Sequence, residues 1–386
     1  MKQEKDYRGK TAVIVCHDVM FGPPHELLDF LLQHKIARLV FIGHRNRALP
    51  ENDIYRSYCA IYRKGVKIRT VYAPDISRYP DFVAYAIDCM WTLYWVLRFS
   101  SSTDYYFGLG NMNAMMGLIL RFVGNVKNVI YYVIDYIPNR FSNSIINWFY
   151  MKLDYWSALY ADATWNYAPI MIKSREKMWN KTFPHQIVVP NGIRIRVSGK
   201  IKKDINHKDL MYIGTIHRQQ GIQLVIKALP IIKGKIPNIR FIIIGQGPYK
   251  KDLDVLIRRN NLKKHVLFLG YIEDPKKADG QLAKGYIGVA TYTPDNVMVR
   301  STEPGKIKRY FACGLPTIMT DTGEIAEISE KAGCGISIPY NSTMVANEVI
   351  RLLSDTKLYG GMQKKAIAFA KKYDWEHIFS QSFQSL

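Results

Sequence analysis

Between Ser301 and Thr320 the chain reads Ser-Thr-Glu303-Pro304-Gly305-Lys306-Ile-Lys-Arg309-Tyr-Phe-Ala-Cys313-Gly314-Leu-Pro316-Thr-Ile-Met-Thr. Proline has no N–H to lose in a first helical turn, so Glu303-Pro304 suits a helix start. Cys313 to Pro316 closes that helix, and Thr317-Ile-Met319 reads as the next buried strand. A helix that begins here aims unpaired backbone N–H groups at whatever lies before it. Such an end is an anion site, and Lys306 adds a full charge to it. The same residues also suit an ordinary capped helix, and at this point both readings stand.

Other side chains with chemical capacity are scattered. His17, Asp18, His25 and Glu26 share one loop and are metal-ligand types, but their spacing matches no ligand pattern. Capping and loop structure is the plainer reading. Asp135, in Asp135-Tyr-Ile-Pro138, leaves a strand end; it is either a site carboxylate or the cap of a helix beyond Asn139. Asp252-Leu-Asp254 lies in a helical pattern and reads as a solvated face. Five cysteines (16, 59, 89, 313 and 334) show no Cys-x-x-Cys, which fits a reducing compartment and no structural zinc.

The elements that must position these residues are short apolar runs. Leu210–Gly214, Phe241–Gly245, Val266–Gly270 and Tyr286–Ala290 are each stopped by glycine or a turn and alternate with helical spacing, as in Ile222, Val225, Ile226 and Leu229. That alternation predicts a parallel sheet covered by helices, with ligands at the carboxyl ends of its strands. Thr11–Cys16, Leu39–Gly43, Val66–Tyr72, Asp104–Gly108 and Asn128–Ile134 predict a second such domain.

Here the chain resembles a family. Val188-Val-Pro-Asn191-Gly192-Ile, Tyr212-Ile-Gly214, Ile244-Gly245-Gln-Gly247-Pro248, Leu269-Gly270-Tyr and Ala312-Cys-Gly314-Leu-Pro316 resemble, in order, second-domain signatures of the family-4 glycosyltransferases. These are retaining enzymes of the GT-B fold. Tyr373-Asp-Trp375-Glu resembles the start of that family's closing helix. The resemblance implies an α/β chain of two doubly wound, Rossmann-like domains facing each other across a cleft. It implies an acceptor-side domain at 1–192, a nucleotide-sugar domain at 193–370, and a helix at 371–386 crossing back.

It also implies a site. Gly214, Arg218, Gly245, Gly247, Glu303, Pro304, Gly305, Lys306 and Arg309 would bind the donor. Glu303 would hold the donor sugar and Asp135 the acceptor side. The chain departs from the family at telling places. Arg309 and Ser301 stand where the family has its two glutamates, with Glu303 displaced by two. Thr215 and Gln220 stand where it has the arginine and lysine that hold the diphosphate. Arg218, between them, offers a guanidinium fork for phosphate oxygens. An arginine at 309 only donates, so it is expected to contact phosphate or to pair with Glu303.

The implied reaction moves a hexosyl group from a nucleotide-sugar to a hydroxyl of a glycan or lipid-linked acceptor, without metal or cofactor. Two competitors stay open: a non-catalytic glycosyltransferase-like accessory subunit, and a GT-B sugar-nucleotide epimerase.

With 54 Lys and Arg against 32 Asp and Glu, the net charge is +22. Nucleic acid, an anionic membrane and an anionic donor are the candidate partners. The chain shows no recognised nucleic-acid module, so the membrane is preferred and nucleic acid is not expected. Met1 to Arg8 is too charged for a secretory leader, which points to the cytoplasm and the inner membrane face. Phe82–Phe99 carries only Asp88 and Arg98 as charges, yet a central Asp opposes spanning. A helix packed on the sheet with one face at lipid headgroups is the expectation, and Ile145–Trp156 is similar.

Overall fold

The computed structural model describes residues 7–18, 22–45, 56–196, 207–296, 304–320 and 323–386. Two compact units result: Met1–Pro190 with Trp375–Leu386, and Asn191–Asp374. These divisions differ slightly from the expected 192/193 and 370/371, for a local reason. Ile193 N donates to Tyr373 O at 2.7 Å, Ile195 N to Asp374 Oδ2 at 3.3 Å, and Lys308 Nζ to the Asn191 carbonyl. Both passing strands of chain are thereby tied into the second unit.

The first unit runs β1 (Thr11–Asp18), α1 (Pro23–Gln33), β2 (Arg38–Arg45), β3 (Tyr58–Arg63), β4 (Val66–Tyr72), α2 (Asp81–Phe99) and β5 (Thr103–Leu109). It continues α3 (Asn111–Phe122), β6 (Val126–Val133), α4 (Ser144–Tyr160), β7 (Ala163–Asn166), α5 (Pro169–Trp179) and β8 (Gln186–Val188). Its sheet has the order β4-β3-β2-β1-β5-β6-β7-β8. Strands β2, β1, β5, β6, β7 and β8 are parallel, as buried apolar runs such as Ala12–Val15 require. The edge is a correction to the parallel expectation. Val66–Tyr72 pairs antiparallel with β3, which in turn pairs antiparallel with β2. Lys64 and Gly65, with φ of 47° and 84°, form the two-residue turn whose twist matches a hairpin.

The second unit runs β9 (Lys208–Ile213), α6 (Ile222–Lys235), β10 (Ile239–Ile244), α7 (Lys250–Arg259), β11 (Val266–Gly270), α8 (Pro275–Lys284) and β12 (Ile287–Ala290). Then come α9 (Gly305–Ala312), β13 (Thr317–Thr320), α10 (Glu324–Lys331), β14 (Gly335–Ile338), α11 (Ser342–Ser354) and α12 (Thr356–Lys372). Its sheet, β11-β10-β9-β12-β13-β14, is wholly parallel. The strand order reverses at β9, between β10 and β12, the place where such sheets bind ligands.

The last helix, α13 (Trp375–Gln384), belongs to the first unit and lies on α1. Phe383 sets its ring 5.1 Å from Tyr7 and 5.5 Å from Trp165. The expected solvated face at Asp252-Leu-Asp254 is the surface of α7, where Asp254 pairs with Lys250 at 2.7 Å.

One buried ion pair organises the β7 side of the first unit. Arg175, fully buried on α5, donates through Nε and Nη2 to both oxygens of Asp154 at 2.9 and 3.0 Å. Its Nη1 reaches Asn166 Oδ1 and Gln186 Oε1, while Tyr131 OH donates to Asp154. Two helices and three strands thus share one guanidinium. Removing one member leaves the others buried without partners. Arg175→Ala is therefore expected to lower unfolding free energy by about 3–5 kcal/mol in urea titrations. A loss below about 1 kcal/mol would show that the network does not carry this load.

Candidate functional site

Helix α9 assigns each side chain to a different neighbour. Ile307 and Phe311 enter the core. Tyr310 lies over Gly288, where any Cβ would come within 2.5 Å of its ring. Its hydroxyl accepts from Ile213 N at 3.0 Å and donates to Val289 O at 3.1 Å, fixing the helix to β9 and β12. Lys306 sits one turn earlier on the same face. It therefore projects to the carboxyl end of β9.

There its ammonium meets neutral groups. Nζ donates to Gln220 Oε1 at 2.5 Å and to Tyr212 OH at 3.3 Å. It stands 4.5 Å from the Tyr212 ring centroid and 4.9 Å from that of Tyr292. Burial lowers its pKa from 10.5 to about 7, because a desolvated ammonium is costly without a counter-charge. Gly214 provides the space: a Cβ there would lie 3.1 Å from Lys306 Nζ and from Tyr212 OH.

The other two glycines expected to line the donor have different work. A Cβ on Gly245 would meet Gly214 O at 1.9 Å, and one on Gly247 would meet Ile216 O at 2.3 Å. The loops after β9 and β10 therefore touch backbone to backbone, held by Ile216 N donating to Gln246 O at 2.9 Å. Arg218 is exposed on the short turn Arg218–Gln220 of the same loop. Pro304 caps α9 on its N-terminal side and Gly305 is exposed at its head.

Two expectations need restating. Glu303 and Ser301 lie outside the described residues. Arg309 has a partner on α8: its Nε donates to Asp279 Oδ1 at 2.5 Å, and its Nη2 reaches Pro275 O at 3.4 Å. Asp279 also pairs with Arg196 at 3.1 Å. The reason is helical geometry. Arg309 follows Lys306 by three residues, about 60° round the helix to the side away from Tyr310, and there it meets α8.

In the first unit the strand ends carry a second polar group. Asp18 is buried, accepts from Tyr58 OH and pairs with His25 Nε2 at 2.6 Å. The loop carboxylate is thus occupied by a phenol and an imidazole. Among the described residues no group of three or more His, Cys, Asp or Glu could hold a metal ion. Burial, with His44 nearby, lowers His17 to about 4, so its imidazole is neutral. His17 Nε2 is buried without a hydrogen-bond partner, and Nδ1 lies 3.4 Å from Asn113 Nδ2. Asp135 is exposed just past β6 and pairs with Arg140 at 3.3 Å. Tyr292 beside Lys306 and Asn113 beside His17 escape a motif search because neither is charged, and the contacts of Tyr212 and Gln220 with Lys306 cannot be read from their motifs.

Residues 207–355 match the sequence model of a family described as glycosyl transferases group 1. An uncharacterized glycosyltransferase of Methanocaldococcus jannaschii is 26% identical over 184 residues, which cover 46% of this chain and 44% of that protein. The phosphatidyl-myo-inositol mannosyltransferase of Mycolicibacterium smegmatis is 22% identical over 165 residues, 42% of this chain and 40% of that protein. The chain spans less than half the length of these relatives. Among solved structures, HepE of Anabaena in complex with UDP has a TM-score of 0.62 at 16% identity, covering 98% of this chain and 100% of that one. At that identity the likeness is one of fold, and the fold is GT-B.

The Lys306 geometry has a consequence for stability. Between pH 7 and 10.5 the unfolded chain holds a proton on this lysine that the folded chain has released. Folding stability from this group therefore rises with pH across that window. Lys306→Met keeps the stem and removes the titration. The variant is expected to exceed the parent in stability at pH 7, with the gap closing toward pH 10.5. Parallel unfolding curves for the two proteins across that range, with a constant gap, would contradict a desolvated ammonium.

Proposed function

Taking residues 207–355 as a glycosyl transferases group 1 domain within a GT-B chain, we propose that the protein transfers a sugar from a nucleotide-sugar to an acceptor hydroxyl with retention of configuration. The observation that carries the reading is Lys306. Its ammonium is desolvated at a strand-order reversal, beside a helix start, among neutral partners. A diphosphate supplies the missing anion there.

In this reading Lys306, Arg218 and the amides heading α9 bind the diphosphate and stabilise the charge that develops on it as the glycosidic bond breaks. Family members with a lysine on the first loop have that charge where this chain has Gln220. Here Gln220 accepts from Lys306, so α9 returns the cation to nearly the same place. Gly214 lies beside that cation, while Gly245 and Gly247 set the loop that holds it. Glu303 and Pro304 take the sugar end of the donor, and Asp135 takes the acceptor side. Arg309 is assigned to α8 through Asp279.

The leaving phosphate is available to take the acceptor proton, so the reaction is written as a hexosyl transfer without metal. The acceptor is a glycan or a lipid-linked glycan. The mannosyltransferase relative is named for a phosphatidylinositol acceptor, which favours the lipid-linked form. The place of work is the inner membrane face, consistent with the net charge of +22.

Arg309 also serves a second reading, that of an accessory subunit, because no carboxylate stands at that position for a ribose. A panel of nucleotide-sugars, scored by thermal shift and then by transfer or donor hydrolysis, separates the two. Binding of one donor with turnover supports the transferase. A folded protein that binds none supports the accessory role. With the bound donor, Lys306→Ala and Arg218→Ala are each expected to weaken affinity by about 1.5–3 kcal/mol, measured calorimetrically. Unchanged affinity in both variants would remove the diphosphate assignment.

A further inference from the structure

We propose that the outward faces of α2, α3 and α4 form a docking surface for an anionic lipid bilayer. A helix resting on a sheet buries one apolar stripe and turns polar residues to water. Helix α2 does not follow this rule. Its outer stripe is Met90, Tyr94 and Leu97, about one turn apart and 60, 54 and 54% exposed, with Phe82 of the first turn 75% exposed. The neighbouring helices repeat the pattern. On α3 Phe122 is 92% exposed, and on α4 Trp148 is 57% exposed. Helix α3 packs against both α2 and α4, which places these exposed apolar side chains on three neighbouring helices. Soluble monomers rarely leave so much apolar surface uncovered.

Charge and composition select the occupant. Past Asp81 at its start, α2 has one acidic side chain, Asp88, and α4 has one, Asp154; both are buried. Asp88 is held by Ser57 Oγ at 2.6 Å and lies 3.1 Å from His44 Nδ1, which explains how a carboxylate fits in so apolar a helix. What remains at the surface is basic: Arg98 at the end of α2, and Lys152, whose ammonium rides 5.6 Å from the Trp148 ring and 4.3 Å from that of Trp179. Arg121 at the end of α3 is paired with Asp162.

A second copy of this chain would bring like charges face to face. An anionic bilayer gains roughly 1 kcal/mol for each such residue near its surface. Tyr and Trp suit the boundary, with ring in the acyl region and polar edge in the headgroups. Among the described residues no helix is long and apolar enough to cross a membrane, so this contact lies along the surface.

The surface belongs to the first unit and does not depend on the donor site, so its test fails independently of the transferase reading. The full chain is floated with phosphatidylcholine vesicles, with and without phosphatidylglycerol. Two variants, Met90→Ser/Tyr94→Ser/Leu97→Ser and Trp148→Ser/Phe149→Ser, are compared with the control Ile231→Ser/Val255→Ser, which alters exposed apolar residues of the second unit. Circular dichroism and urea unfolding check that each variant is folded.

The expected result is partitioning of parent and control onto anionic vesicles, with both helix variants reduced at least about tenfold. Three results would overturn the proposal. The parent floats equally with neutral and anionic vesicles, or the helix variants float like the parent. Alternatively, those variants turn a dimer into a monomer, seen by light scattering, while no form binds vesicles.

Discussion

An ammonium removed from water must find either an anion or a way to shed its proton, and the second unit is arranged around one that has found neither in full. Lys306 is held by an amide oxygen, a phenol and two aromatic faces, and burial brings its pKa down to about 7. Aromatic faces attract a cation by about 0.5–2 kcal/mol, less than hydration supplies. The position is fixed from below. Tyr310 fastens α9 between β9 and β12, and only the bare backbone of Gly288 lets its ring lie so close. Gly214 leaves the gap the ammonium occupies, and the contact of Gly245 with Gly214 sets where that gap falls. Packing at the bottom of α9 thus determines electrostatics at its top.

Each unit carries polar groups of its own at its strand ends. The second offers cation and helix-start amides, which suit a phosphate. The first offers at its strand ends a neutral imidazole with an unpartnered buried nitrogen, His17, and an exposed carboxylate, Asp135. A neutral ring nitrogen with a pKa near 4 accepts or donates a hydrogen bond to a hydroxyl without carrying its proton away.

Much of this was legible in the residues. Parallel strands buried on both faces are continuous apolar runs, so β1, β2, β5, β6 and the strands β9 to β13 stood out. Lys306 was legible as a cation beside a helix start. The antiparallel edge was not, because Val66–Tyr72 alternates like any half-exposed strand and nothing in it names its partner. The short strands β7, Ala-Thr-Trp-Asn, and β14, Gly-Ile-Ser-Ile, were missed because neither is the continuous apolar run that reveals β12 at the same length of four residues. The pairing of Arg309 with Asp279 was hidden for a different reason. Its partner Asp279 lies 30 residues earlier on α8, and local spacing offered only Glu303. The cage of Lys306 was invisible because Tyr212 on β9, Gln220 in the turn after it and Tyr292 after β12 converge only in the fold and carry no charge.

If a diphosphate completes Lys306, its binding must change the protonation of that ammonium. An anion beside the ammonium restores its pKa toward 10.5, so donor binding above pH 7 must draw a proton from solution. Calorimetric titration of the bound nucleotide-sugar in buffers of different ionisation enthalpy counts that proton. The account predicts uptake approaching one proton per site near pH 8.5, vanishing in Lys306→Met, with affinity falling as pH rises from 7. Binding of the donor with no proton uptake in the parent protein, at an affinity independent of pH, would contradict it.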